Sequence, residues 1–118
     1  MAAAMRRSKY GAVPTTIDNI RFHSKAEAAR YLQLKMLQQA GEIYGLELQP
    51  KYQLLVTARG AGPYERVCVG HYIADFRYRE GPKGILRIED VKGYDVPLGK
   101  WKRRHCEAQY GIEVTVIK

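Results

Sequence analysis

The side chains best suited to chemistry stand in two short segments. Ile88-Glu89-Asp90-Val91-Lys92-Gly93 reads as the end of a β-strand, where residues two apart share a face. Asp90 and Lys92 therefore project together with the apolar Leu86 and Ile88, while Glu89 and Val91 project to the other side. An acid and a lysine closing an apolar face are costly to bury unless they pair or bind something. Asp75, in Ile73-Ala74-Asp75-Phe76, ends another apolar stretch in the same way. Two neighbouring strands that each deliver a carboxylate at the end of a buried face would suit Mg²⁺, which takes hard oxygen ligands. A surface ion pair would also account for Asp90 and Lys92, and a solvent-facing strand end for Asp75. Glu89 competes with Asp90 for the ligand role. Alternation favours Asp90, which alone shares a face with Lys92, unless a bulge intervenes.

The elements that must position these residues follow from patterning. Ile17-Asp18-Asn19-Ile20-Arg21-Phe22 places a tight-turn pair between β-prone runs and predicts a small hairpin. Ser24-Lys25-Ala26-Glu27 has capping-box spacing and opens a helix over 25–40 that Gly41 stops. Ala29, Leu32, Met36 and Ala40, widened by Leu37, are its expected inner face. Strand-like segments follow at 46–48 and 52–57, interrupted by Gln49-Pro50. Gln49 is a candidate contact beside the site, or simply a backbone hydrogen-bonding residue at a strand boundary. Beyond the turn formers of 58–63, one long strand is expected over 67–79; both its faces are largely apolar, which predicts a central position. His71 lies on its Asp75 face, about 13 Å from that acid and too far to share a metal. A strand over 85–92 and a helix from near Pro97 come next, with Leu98, Trp101, His105 and Ala108 inward and Gly111 as the stop. Trp101 reads as core. Ile112, Val114 and Val116 close the chain as a strand. The order predicts an α/β fold, a mixed sheet layered with helices, in a single domain over 10–118.

Composition bounds the partners. The chain has 118 residues, 20 Lys+Arg against 12 Asp+Glu, and a formal net charge of +8. A hydrophobic fraction of 46% with 27% charged residues is that of an ordinary folded protein. No apolar run approaches the roughly 18 residues of a membrane span, and Met1 to Met5 run into Arg6-Arg7 without the apolar core of a secretory signal. Cys68 and Cys106 are too few for a disulfide framework and read as small apolar residues in a reducing cytoplasm. The positive balance points to a polyanion, nucleic acid before membrane. It is concentrated in three stretches: a flexible arm over 1–9 with Arg6, Arg7 and Lys9; residues 21–35, including Lys25; and residues 92–104, with Lys100, Lys102, Arg103 and Arg104. These are candidate DNA-backbone contacts, a solvated basic face being the plain alternative.

Asp75 followed by Asp90-Val91-Lys92 resembles the PD-(D/E)XK nuclease signature. The surrounding words sharpen the likeness: Ser8-Lys9-Tyr10, Phe22-His23-Ser24-Lys25-Ala26-Glu27-Ala28, Gln49-Pro50, Tyr72-Ile73-Ala74-Asp75-Phe76 and Glu89-Asp90-Val91-Lys92-Gly93, in that order, look like a small phage-encoded nuclease-like family. The likeness runs from about Ser8 to Ile117 and implies a restriction-endonuclease-like core. It implies Asp75 and Asp90 as Mg²⁺ ligands, with Mn²⁺ as a substitute, the Val91 carbonyl as a further ligand, and Glu27 from the first helix as a third acid. The capping box explains Glu27 without catalysis. Lys92 would position water or neutralise charge on the phosphate. Two departures stand out: Ala74 replaces the Pro of the signature, and His23 stands where an acid is expected. The resemblance implies a metal-dependent endonuclease for DNA, with branched DNA such as a Holliday junction as the leading substrate and a homodimer if both strands are cut symmetrically. It places the protein in the cytoplasm of a bacterial host. The alternatives are an accessory protein that binds nucleic acid without cutting it and a monomeric nuclease for flaps or single strands.

Overall fold

In the computed structural model, residues 13–58, 60 and 65–118 are described. The basic arm expected over 1–9, with Arg6, Arg7 and Lys9, lies outside them.

Asp18 and Asn19 both adopt left-handed backbone, φ 53° and 61°, the conformation a two-residue hairpin turn requires. They join β1 (Thr15–Ile17) to β2 (Ile20–Phe22) as antiparallel partners. Ser24 then caps α1 (Lys25–Gln39), its hydroxyl accepting from the Glu27 N–H at 3.1 Å. The buried face of α1 is Glu27, Ala28, Tyr31 and Leu34. This corrects the expected stripe: Leu32 is 45% exposed and Met36 70%, and Ala29 and Ala40 also face outward. Tyr31 decides the rotation. Its ring packs 4.9 Å from that of Phe22, and its hydroxyl donates to Asp18 at 2.9 Å.

After β3 (Ile43–Leu48) and β4 (Lys51–Thr57), the long strand expected over 67–79 is two strands, β5 (Arg66–Ile73) and β6 (Phe76–Glu80). The chain changes partners between them: the Ala74 N–H donates to the Pro50 carbonyl, and the Asp75 N–H to the Glu89 carbonyl. β5 therefore pairs only with β4, in a two-stranded ribbon, whereas β6 lies inside a four-stranded sheet of order β3-β6-β7-β8. The central position expected for the whole segment holds for β6 alone. On β5, Val67, Val69 and Ile73 are exposed. β7 (Ile85–Val91) runs antiparallel to β6 and parallel to β8 (Val114–Ile117), so the sheet is mixed and the fold is α+β.

Side-chain alternation builds two cores. One joins α1 to the sheet through Phe22, Tyr31, Leu34, Ile43, Phe76 and Tyr78. The other joins Leu54 and Tyr72 of the ribbon to Ile88, Val114 and Cys106 of α2 (Pro97–Tyr110). Gly111, at φ 64°, caps α2 in the left-handed conformation that glycine adopts without penalty. The inner face of α2 differs from the expected one: Cys106 is its buried residue, Leu98 is 63% exposed and Trp101 77% exposed. His105 is half-buried against the Leu55 carbonyl, 3.0 Å away, and Ala108 faces outward. No helix among the described residues is long and apolar enough to cross a membrane.

Candidate active site

The C-terminal end of β7, the break between β5 and β6, and the first turn of α1 meet at one cleft of about 680 Å³. Its lining includes Glu27, Asp75, Asp90 and Lys92, with Val91, Gln49 and Lys25. The sequence places these residues far apart; the sheet brings them together.

Alternation along β7 works as expected. Asp90 and Lys92 project together, with Lys92 Nζ 3.3 Å from Asp90 Oδ1. Glu89 projects to the α1 side. There it receives Arg30 Nε at 2.7 Å and Nη2 at 2.6 Å, together with the Tyr78 hydroxyl. That bidentate pair fully occupies Glu89 and bolts α1 to β7, so Glu89 does not compete for the cleft. Nothing in the spacing of the sequence pairs Arg30 with Glu89.

Asp75 sits in the two-residue break, not within a strand. Its Oδ2 accepts from the Val91 N–H at 2.6 Å. Gln49 supports the same turn: in left-handed backbone, φ 51°, it donates its N–H to the Asp75 carbonyl at 2.9 Å. Gln49 thus both lines the cleft and makes a boundary hydrogen bond, the two roles open to it from sequence. Asp90, 1% exposed, accepts from the Tyr72 hydroxyl at 2.6 Å through Oδ2. Tyr72 is a site residue that sequence patterning marks only as apolar strand. Glu27 accepts from the His23 N–H at 3.2 Å, which completes the capping box.

Charge is crowded here. Burial raises the Asp75 carboxyl to about 8, helped by the neighbouring Glu27 and by Asp90, which is close enough to hydrogen-bond, against the lowering effect of the Val91 N–H. Burial also raises Glu27, partly offset by the His23 N–H. Among the described residues, no group of three or more His, Cys, Asp or Glu side chains stands ready to hold a metal ion. Each carboxylate is instead engaged by protein donors. As a donor set, the carboxylates fit a hard divalent cation: they are oxygens only, and Asp75 and Asp90 repel one another unless a proton or a cation lies between them.

The basic candidates divide. Lys25 lines the cleft, and Lys100 and Arg104 are exposed on α2, with Lys102 half-buried. Arg103 is turned inward. It is bidentate on Asp95 at 2.7 and 3.1 Å with only 11% of its side chain exposed, which corrects its reading as a backbone contact. His71 is exposed, 3.9 Å from Cys68 Sγ.

No curated protein and no solved structure matches the chain. A family model described as a protein of unknown function, DUF1064, matches residues 7–117, a span that contains every residue of the cleft. The chain belongs to the DUF1064 family.

Proposed function

We propose that this protein is a divalent-metal-dependent endonuclease that hydrolyses DNA phosphodiester bonds. The observation that carries the reading is the convergence of Glu27, Asp75, Asp90 and Lys92 on one cleft from three separate elements. Asp75 and Asp90, with Glu27 and the Val91 carbonyl, would hold Mg²⁺ or Mn²⁺. The metal would supply an activated water and neutralise charge on a phosphate oxygen. Lys92, held against Asp90, places its ammonium where negative charge builds on the phosphate. Tyr72 and Val91 donate to the two aspartates and fix their orientation. The order of sequence words that resembles PD-(D/E)XK nucleases supports the same reading. It also favours branched DNA, cut by a pair of copies in the cytoplasm of a phage-infected cell.

A second reading, binding without cutting, is favoured by one observation: every cleft carboxylate already has a protein donor. Labelled four-way junction, flap, single-stranded and linear duplex DNA, each with Mg²⁺ or EDTA, separates the two. The nuclease reading expects Mg²⁺-dependent cleavage that Asp90→Asn abolishes. DNA binding with no cleavage of any substrate would overturn it, and cleavage that survives Asp90→Asn would overturn the site.

A further inference from the structure

Trp101 is the one tryptophan of the chain, and it is 77% exposed. Leu98, three residues earlier and 63% exposed, shares its helix face, and Arg104, three residues later, borders it. The face is turned away from Cys106, the buried residue of α2. It is also next to the cleft. Tyr94, Gly93 and Lys92 form part of the cleft wall, and α2 begins at Pro97. Asp95, between them, lies in the electrostatic field of both Lys92 and Lys100. An exposed indole and leucine, flanked by cations and continuous with a cleft lined by carboxylates and a lysine, are arranged as single-stranded nucleic-acid sites are, with stacking surface beside backbone charge. A second copy of the chain fits the face poorly, because an isologous contact would bring Lys100 and Arg104 against their own counterparts.

We propose that Trp101, with Leu98 beside it, is a stacking platform for unpaired bases of a DNA strand whose backbone follows Lys100 and Arg104 into the cleft. The inference rests on the nuclease reading and narrows its substrate: nucleotides beside the phosphate in the cleft are unpaired, as at a flap, a junction branch point or a single-stranded end.

Because Trp101 is the only tryptophan, its fluorescence reports this face alone. The full-length protein is titrated in EDTA with a short oligothymidylate, an abasic strand of equal length and a blunt duplex, and affinity is measured separately by anisotropy of a labelled strand. Saturable quenching by oligothymidylate, absent with the abasic strand, supports the platform. Trp101→Ala then weakens oligothymidylate binding about 10-fold and leaves abasic binding unchanged, while Trp101→Phe restores most of the affinity. Equal affinities of wild type and Trp101→Ala for oligothymidylate would overturn it. So would a blue shift of the emission with protein concentration alone, matched by a dimer in sedimentation that Trp101→Ala removes. No step requires cleavage: stacking without nuclease activity on any DNA refutes the nuclease reading only, and cleavage without stacking refutes the platform only.

Discussion

The Tyr72 hydroxyl donates to Asp90 Oδ2 at 2.6 Å, so the inner face of the ribbon is tied to the acid that ends β7. Both residues are buried, at 4% and 1% exposure. Burial and the adjacent Asp90 raise the Tyr72 phenol well above its ordinary range, so it remains a donor at any working pH. Tyr72→Phe keeps the ring and removes the donor. Urea unfolding should show a loss of about 1–3 kcal/mol, the cost of leaving a buried acceptor short of a partner. An unchanged midpoint would show that Asp90 does not depend on Tyr72.

Arg30 and Glu89 make the corresponding link on the other face of the sheet. Arg30→Met leaves a buried carboxylate without its cation and should cost about 3–5 kcal/mol in chemical denaturation. Adding Glu89→Gln should return much of that loss. Failure of the double variant to recover would place the damage in packing rather than charge.

Asp75 predicts the pH dependence of the metal-free protein. Its folded pKa lies above that of the unfolded chain, so the folded state holds the proton more tightly. The stabilisation is complete below the ordinary carboxylate pKa of 3.8 and is lost as pH rises toward about 8. Thermal unfolding in EDTA across that window should show a falling Tm, and Asp75→Asn should flatten the slope. A slope unchanged by Asp75→Asn would assign it to other groups.

If the cleft hydrolyses DNA, Lys92→Met should lower the single-turnover rate by about 100-fold or more while changing DNA affinity only modestly. A fall in affinity with the rate at saturation unchanged would make Lys92 a binding residue instead.

The two cysteines should differ sharply toward alkylating reagents. Cys68 is exposed and Cys106 is buried, with burial raising its thiol to about 11. One thiol per native chain should react quickly, with the second appearing only in denaturant.

How much was legible in the sequence depended on whether a local rule had a competitor. The hairpin, the capping box and the alternation of Asp90 with Glu89 rest on two to four neighbouring residues, and the structure reproduces them. Helix faces were less legible. In α1, Ala28, Tyr31 and Leu34 compete with Ala29, Leu32 and Met36 at equally good helical spacing. The hairpin decides between them by offering Phe22 and Asp18 to Tyr31. In α2 the most apolar residues, Leu98 and Trp101, lie outside while Cys106 fills the core. The break at Ala74-Asp75 contains neither Gly nor Pro, and Tyr72, Ala74, Phe76 and Tyr78 stay on the buried side throughout. Only a change of hydrogen-bonding partners marks it, and that is a tertiary event. The partners of the site acids, Tyr72 above all, were hidden for the same reason.

The ribbon of β4 and β5 enters and leaves the sheet at a single place, where Gln49-Pro50 and Ala74-Asp75 lie side by side and exchange backbone hydrogen bonds. Its opposite end, at the Thr57–Arg66 pair, is six residue pairs further along, about 20 Å away at ordinary strand rise. Lengthening, trimming or replacing that far end would leave the carboxylate geometry intact, whereas a single inserted residue at Gln49 or Ala74 would shift Asp75 off its Val91 donor. The fold therefore has one segment whose size is free to vary and, at its root, one that tolerates no change of length.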